Sequence, residues 1–330
     1  MEAIARAHTN IALIKYWGKR DSKLFLPMNS SLSITLDHFY TETKVQFSDQ
    51  FEKDTLILDG EKVSDSEAAK ITAFLQHVRN LSGKEVFAEV TSVNHVPTAA
   101  GFASSASGYA ALAAAASKAL QLDLTERELS MLARQGSGSA SRSVYGGFVE
   151  WQKGNNPDGT DSYAKHILDE NAWDLSVLSV VVEAGPKSIS SREGMERTVK
   201  TSPFYEGWLA TLEEDLKQIK EAIAARDFTK LGTIAEANAM KMHATSLGAK
   251  PPVLYWQSAT LDVMQKVTEL RQQGLEAYFT IDAGPNVKVL CERNQEESIK
   301  DKLAAIPSVR DVIVCHPGPG IQYLTEWNGK

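Results

Sequence analysis

The chain has 330 residues, room for two domains of ordinary size or one large one. A formal net charge of −7 leaves no basic excess to neutralise a nucleic-acid backbone, although a few cations in a pocket can still hold a small anion. Cys291 and Cys315 make neither a metal-ligand spacing nor a disulfide framework, and no apolar run is long enough to span a bilayer. These features predict a cytoplasmic protein with neither nucleic-acid nor membrane partners.

The first third is rich in strand signals. Residues 31–36, 40–48 and 86–93 alternate or are β-branched, and Asp59-Gly60 suits a hairpin turn. Between them, Ala69, Ile71, Phe74, Leu75 and Val78 recur at helical spacing over 66–80. Two further helices are predicted at 104–120 and 125–135; the second opens on Thr125 with Glu128 three residues on, a capping-box pattern. A strand follows at 146–151, then a polar loop, then a strong strand at 175–184.

The character changes after about residue 190. Leu209, Leu212, Leu216, Ile219 and Ile223 form one apolar stripe within 204–226. Helices are predicted at 228–242 and at 252–273, the latter stopped by Gly274. Strands at 275–281, 287–292 and 309–314, with a short helix at 298–306, make the second half α+β. A domain boundary is placed near residue 185.

Four stretches invite chemistry. "HVPTAAGFASSASG" (95–108) brings small residues to the start of an alanine-rich helix, whose unpaired N–H groups attract phosphate; the same composition also suits tight packing against a sheet. "NIALIKYWGKRD" (10–21) crowds Lys15 and Lys19 together, a pattern shared by anion sites and by solvated edge strands. "RQGSGSASRSVYGG" (134–147) sets Arg142 among hydroxyls, as a donor-rich anion loop or a flexible linker. Asp282 ends a strand before a Gly-Pro turn, where a carboxylate serves as a base or as a turn former. His8, His243 and His316 read as structural, and the C-terminal "HPGPG" as a turn covering the second domain.

Taken together, "NIALIKYWGK" (10–19), "VPTAAGFASSASG" (96–108), "GSGSASRS" (136–143), "SSREGM" (190–195) and "DAGPNVK" (282–288) make the chain resemble the diphosphomevalonate decarboxylases of the GHMP kinase superfamily. Phe102 stands where leucine is more usual in that family. The resemblance implies a two-domain GHMP kinase fold, with a mixed αβ N-terminal domain (1–185) and a ferredoxin-like α+β C-terminal domain (186–330). It also implies a homodimer that uses ATP and Mg²⁺ to convert (R)-5-diphosphomevalonate to isopentenyl diphosphate, ADP, phosphate and CO₂.

By the same resemblance, Ala99, Ala100, Gly101, Ala103, Ser104 and Ser105 cradle the ATP phosphates, Ser104 and Ser105 reach the metal, and Lys187 closes over the nucleotide. Asp282 orients or deprotonates the tertiary hydroxyl, with Lys19 beside it. Tyr16, Trp17, Gly18, Lys19, Ser137, Gly138, Ser139, Ala140, Ser141, Ser191 and Arg192 line the substrate site, and Arg142 holds the substrate carboxylate. A small-molecule kinase such as a mevalonate 3-kinase, a decarboxylase of the monophosphate and a non-catalytic nucleotide-binding scaffold are the alternatives.

Overall fold

The structure, a computed structural model, describes residues 1–95, 104–182 and 189–327. The chain opens on β1 (Glu2–Ile14), followed by a small hairpin of β2 (Lys19–Asp21) and β3 (Leu26–Pro27). The two strand signals at 31–36 and 40–48 are one strand, β4 (Ser31–Ser48), which pairs antiparallel with β1 along most of its length. β5 (Thr55–Leu58) and β6 (Glu61–Lys62) form the expected hairpin, with Asp59 and Gly60 both at positive φ. α1 (Asp65–Ser82) is capped by Ser64 and leads to β7 (Phe87–His95).

α2 (Ser104–Ala119) and α3 (Glu126–Gly136) lie where the sequence places them. Thr125 caps α3, and its backbone N–H donates to Glu128 Oε2 at 2.9 Å. A 3₁₀ helix (Gly138–Val144) then feeds β8 (Phe148–Trp151) and β9 (Ala164–Leu168). β1, β4, β5, β6, β7, β8 and β9 belong to one eight-stranded sheet, completed by the C-terminal β14 (Gln322–Leu324) on the outer side of β1. The alanines of α2 pack on β1 and β4 in a core with Val45, Phe47, Phe74 and Leu75.

The second sheet has the antiparallel order β11-β12-β10-β13, built from β10 (Leu175–Val181), β11 (Ala277–Ile281), β12 (Val287–Glu292) and β13 (Asp311–Cys315). β10 thus lies inside the second sheet, whereas a boundary at 185 leaves it with the first. Sheet membership argues for a division before Leu175. Against this sheet and beside it run α4 (Ser191–Thr201), α5 (Tyr205–Leu209), α6 (Leu212–Ala225), α7 (Phe228–Leu247), α8 (Ser258–Gln272) and α9 (Glu296–Ala304).

Two expectations need correction. The helix expected at 252–273 starts only at Ser258: Val253 N–H is taken by Ser246 O at 3.0 Å, and Gln257 is the cap, its N–H donating to Thr260 Oγ1 at 3.1 Å. The "HPGPG" turn does not cover the second domain. It is laced into the first sheet, where Gly318 N–H donates to Thr35 O at 2.8 Å and Gly147 N–H donates to Gly318 O at 2.9 Å. The His316 ring still joins the halves, with Nδ1 3.2 Å from Asp37 Oδ2 and Nε2 2.7 Å from Glu296 Oε2.

Three apolar cores result, and the middle one belongs to both halves. Ile11, Leu13 and Leu32 of the first sheet, with Trp17 just past β1, pack with Tyr205 and Trp208 of α5, Leu231 of α7 and Tyr278 of β11. Behind the first sheet, Arg79 of α1 grips Asp54 with two hydrogen bonds of 3.1 and 3.0 Å, and Asp54 also accepts from Ala88 N–H. Both side chains are almost wholly buried, so removing one strands the other in a low-dielectric interior. Asp54→Ala is expected to destabilise the protein by about 3–5 kcal/mol, read as a lowered midpoint in urea unfolding. A midpoint unchanged from wild type would contradict that reading of the pair.

Candidate active site

β1 runs through the apolar interior and delivers Lys15 just past its end. The side chain is 2% exposed, so its ammonium must find partners inside the protein. Nζ donates to Asp282 Oδ1 at 2.7 Å and to Ala12 O at 2.8 Å. Asp282 sits immediately after β11, in the turn that returns to β12, so this ion pair joins the two halves. Burial pushes the Lys15 ammonium below its ordinary range and Asp282 opposes the shift; Arg142 adds to the depression.

Arg142 lies in the 3₁₀ helix and is fully buried. Its Nε donates to Asn10 Oδ1 at 3.2 Å and to Ser33 Oγ at 3.0 Å, and Nη1 donates to Ser31 Oγ at 2.6 Å. Burial lowers its pKa to about 10, with Asp282 as the chief opposing charge, so it remains a guanidinium at neutral pH. Asn10 secures the same loop by donating to Ser139 O at 3.1 Å and to Ser143 Oγ at 2.7 Å.

A second cationic group lies on the β2–β3 hairpin and α4. Lys19 Nζ lies 4.1 Å from the centre of the Phe25 ring, and the Arg192 guanidinium 5.8 Å from the same centre. Burial and then Arg192 lower the Lys19 pKa to about 8, while Glu196 opposes them. Two cations crowded over one ring are the arrangement a polyanion would relieve. Tyr16 Oη is buried without a hydrogen-bond partner among the described residues, and burial raises its pKa, so it stays an O–H donor.

Gly18 separates Tyr16 and Lys19 at φ +119°, and a Cβ there would overlap the Tyr205 hydroxyl. That hydroxyl donates to Trp17 O at 2.6 Å. Ser104 and Ser105 stand exposed in the first turn of α2, and Ser137 Oγ lies 3.5 Å from Ser105 Oγ and 3.3 Å from Ser139 Oγ. The start of α2 therefore touches the serine loop that holds Arg142.

Several expected residues take other places. Lys15, not Lys19, pairs with Asp282. Lys19 belongs with Arg192, both beside the Phe25 ring of the hairpin. Trp17 is buried in the shared core against Tyr255, and Ala140 is buried behind the loop. The Ser141 hydroxyl is committed to Gly138 O at 2.7 Å. Ser191 starts α4 one residue before Arg192. Ala99, Ala100, Gly101, Ala103 and Lys187 lie outside the described residues.

The expected structural role of His243 fits the geometry. Its Nε2 lies 3.1 Å from Ile281 O, and burial lowers its pKa to about 4, so the neutral ring donates to that carbonyl beside Asp282. His8 is likewise lowered to about 4, by burial first and Arg6 second. The residues the sequence reading missed are Lys15 and Asn10. The available signal for Lys15 was its place in a continuous apolar run, where a lysine must be buried and therefore paired.

A mixed sheet under an alanine helix, joined to a four-stranded antiparallel sheet, with a carboxylate, buried cations and a serine loop at the junction, defines a two-domain protein of the GHMP kinase fold. Residues 7–164 match the diphosphomevalonate decarboxylase-like N-terminal domain, and residues 177–320 match the mevalonate 5-diphosphate decarboxylase C-terminal domain. The chain is 37% identical over 320 residues to a diphosphomevalonate decarboxylase of Ganoderma lucidum, covering 90% of this chain and 80% of that protein. It is similar to the crystal structure of mevalonate diphosphate decarboxylase from Staphylococcus aureus, at 50% identity and a TM-score of 0.93 over 98% of each chain. A structure of MDDEF in complex with MVAPP, AMPPCP and magnesium matches at 49% identity and a TM-score of 0.92, over 98% of this chain and 99% of that one. The chain belongs to the diphosphomevalonate decarboxylase family.

The crowding of Lys19 has a pH consequence. A pKa lowered to about 8 leaves the ammonium charged below that pH and neutral above it. The ratio of inorganic pyrophosphate affinities, wild type over Lys19→Gln, is expected to hold steady up to pH 8 and to fall by at most about tenfold per unit above it. Calorimetric titration at several pH values measures this ratio, in which the ligand's own ionisation cancels. A ratio flat to pH 10 would contradict the assignment.

Proposed function

We propose that this chain catalyses the ATP-dependent decarboxylation of (R)-5-diphosphomevalonate, with Asp282 at the reacting hydroxyl. Family membership supports the reaction, and the Lys15–Asp282 pair at the junction of the halves is the observation that carries the site assignment. A tertiary hydroxyl is a poor leaving group. It must accept a phosphoryl group before the carbon skeleton can release both phosphate and CO₂.

Asp282 positions that hydroxyl and favours departure of its proton as the oxygen attacks the γ-phosphorus of ATP, releasing ADP. The Lys15 ammonium keeps the carboxylate ionised before the proton arrives. The C–O bond to the new phosphate then breaks, positive charge grows on the carbon, and the electrons of the C–CO₂ bond form the double bond. Arg142, held by Asn10, Ser31 and Ser33, steers the substrate carboxylate. Because that carboxylate gives up its charge on leaving, a guanidinium already occupied by three neighbours suits positioning better than a tight grip.

Tyr16, Lys19 and Arg192 suit the substrate diphosphate, and Ser137 and Ser139 border the same space. For the nucleotide, Ser104 and Ser105 present exposed hydroxyls at the α2 N-terminus, a donor set that fits ATP phosphates and their cation. Among the described residues no group of three or more His, Cys, Asp or Glu is arranged to hold a metal ion. Mg²⁺ bound there supplies charge neutralisation on the triphosphate. The family resemblance is what supports a homodimeric, cytoplasmic enzyme; among the described residues no helix is long and apolar enough to cross a membrane.

With ATP, Mg²⁺ and carboxyl-labelled (R)-5-diphosphomevalonate, the purified protein is expected to release ADP and labelled CO₂ in equal amounts. ADP without CO₂ would instead make it a kinase, and neither product would leave a scaffold. Asp282→Asn is expected to retain binding of both substrates while kcat falls by about 10²–10⁴-fold. Steady-state kinetics check this, and a variant with wild-type kcat would remove Asp282 from the reaction.

A further inference from the structure

The Lys15–Asp282 contact spans two domains, yet one helix, α7, reaches the backbone at both of its ends. Past the end of β1, the Lys15 backbone N–H leaves the ladder and donates to Asn238 Oδ1 at 2.9 Å. Asn238 is fully buried in α7. Its amide orientation is dictated by chemistry, because Nδ2 faces Asp215 Oδ2 at 2.8 Å and a carboxylate accepts without donating. Asp215 is fixed in turn by Lys241, whose Nζ lies 2.5 Å from Oδ2 and 3.0 Å from Thr211 Oγ1.

The Lys15 carbonyl is held from the other side by Asn29 Nδ2 at 2.8 Å. Five residues along α7 from Asn238, His243 holds the carbonyl of Ile281, the residue before Asp282. One rigid helix thus gauges both members of the pair. Lys15 is gripped through its own backbone, and Asp282 through its neighbour's.

We propose that Asn238 is a positioning residue for the reaction, setting where the Lys15 ammonium meets Asp282, with Asp215 fixing the Asn238 amide. It touches no reacting atom and acts through Lys15. This rests on Lys15 and Asp282 forming the reactive centre. A displacement of about 1 Å between reacting groups can cost a hundredfold in rate, so a single hydrogen bond to the backbone of Lys15 carries kinetic weight.

The test is a double-mutant cycle in single-turnover experiments, with enzyme in excess so that large losses stay measurable. Asn238→Ala is expected to lower the saturating rate by about 10–100-fold with the half-saturating enzyme concentration changed by less than about twofold, and to have no further effect in a Lys15→Met background. Asp215→Asn, which frees the Asn238 amide to turn its Nδ2 towards the Lys15 N–H, is expected to show a smaller loss that is likewise absent with Lys15→Met. If Asn238→Ala does not fold, the cycle is read on Asp215→Asn. Equal losses in both backgrounds, or a folded variant at the wild-type rate, would overturn the positioning role while leaving the site reading intact. Lys15→Met at the wild-type rate would overturn both.

Discussion

A buried lysine needs a counter-charge, and here the counter-charge lies on the other half of the molecule. Lys15 comes from the first sheet and Asp282 from the second, and the contact between them is direct. Leaving Lys15 without Asp282 would strand a desolvated ammonium in the interior, an arrangement that costs several kcal/mol. Docking of the halves and assembly of the site are therefore one event. The shared apolar core around Trp17, Tyr205 and Trp208 supplies the burial that makes the pairing obligatory.

Electrostatics divides the cations by their surroundings. Lys15 and Arg142 are wholly enclosed and held by fixed partners, which suits groups that must keep one geometry through a reaction. Lys19 and Arg192 are more open and share the Phe25 ring, which suits capture of a polyanion arriving from solvent. Tyr16 stands between the two groups in sequence, and both Arg142 and Arg192 act on its hydroxyl. One decapeptide, Asn10–Lys19, thus serves the buried centre at its start and the anion site at its end.

Much of this was legible in the chain because local rules govern it. The Thr125 cap, the Asp59-Gly60 hairpin and the helix α2 from Ser104 follow from neighbours in sequence. The long-range choices were not legible. Whether a lysine near the end of a strand meets water or an aspartate depends on what covers β1, and that cover arrives from residues some 200 positions later. The same holds for β10, whose apolar pattern fits either sheet until its pairing with β12 and β13 is known. The expectation that Lys19 lies beside Asp282 fails for the same reason: Lys15 takes that place from within the apolar run, and Lys19 lies with Arg192 at Phe25.

The central claim is that Lys15 serves the chemistry and Lys19 serves binding, and a paired kinetic comparison tests it most directly. Single-turnover rates and substrate affinities would be measured side by side for Lys15→Met and Lys19→Met with saturating ATP. The account predicts that Lys15→Met slows the chemical step by about 10²–10³-fold with affinity for the diphosphate substrate little changed, and that Lys19→Met weakens affinity while leaving most of the rate at saturation. The reverse pattern, with Lys19→Met slowing chemistry and Lys15→Met weakening binding alone, would contradict it.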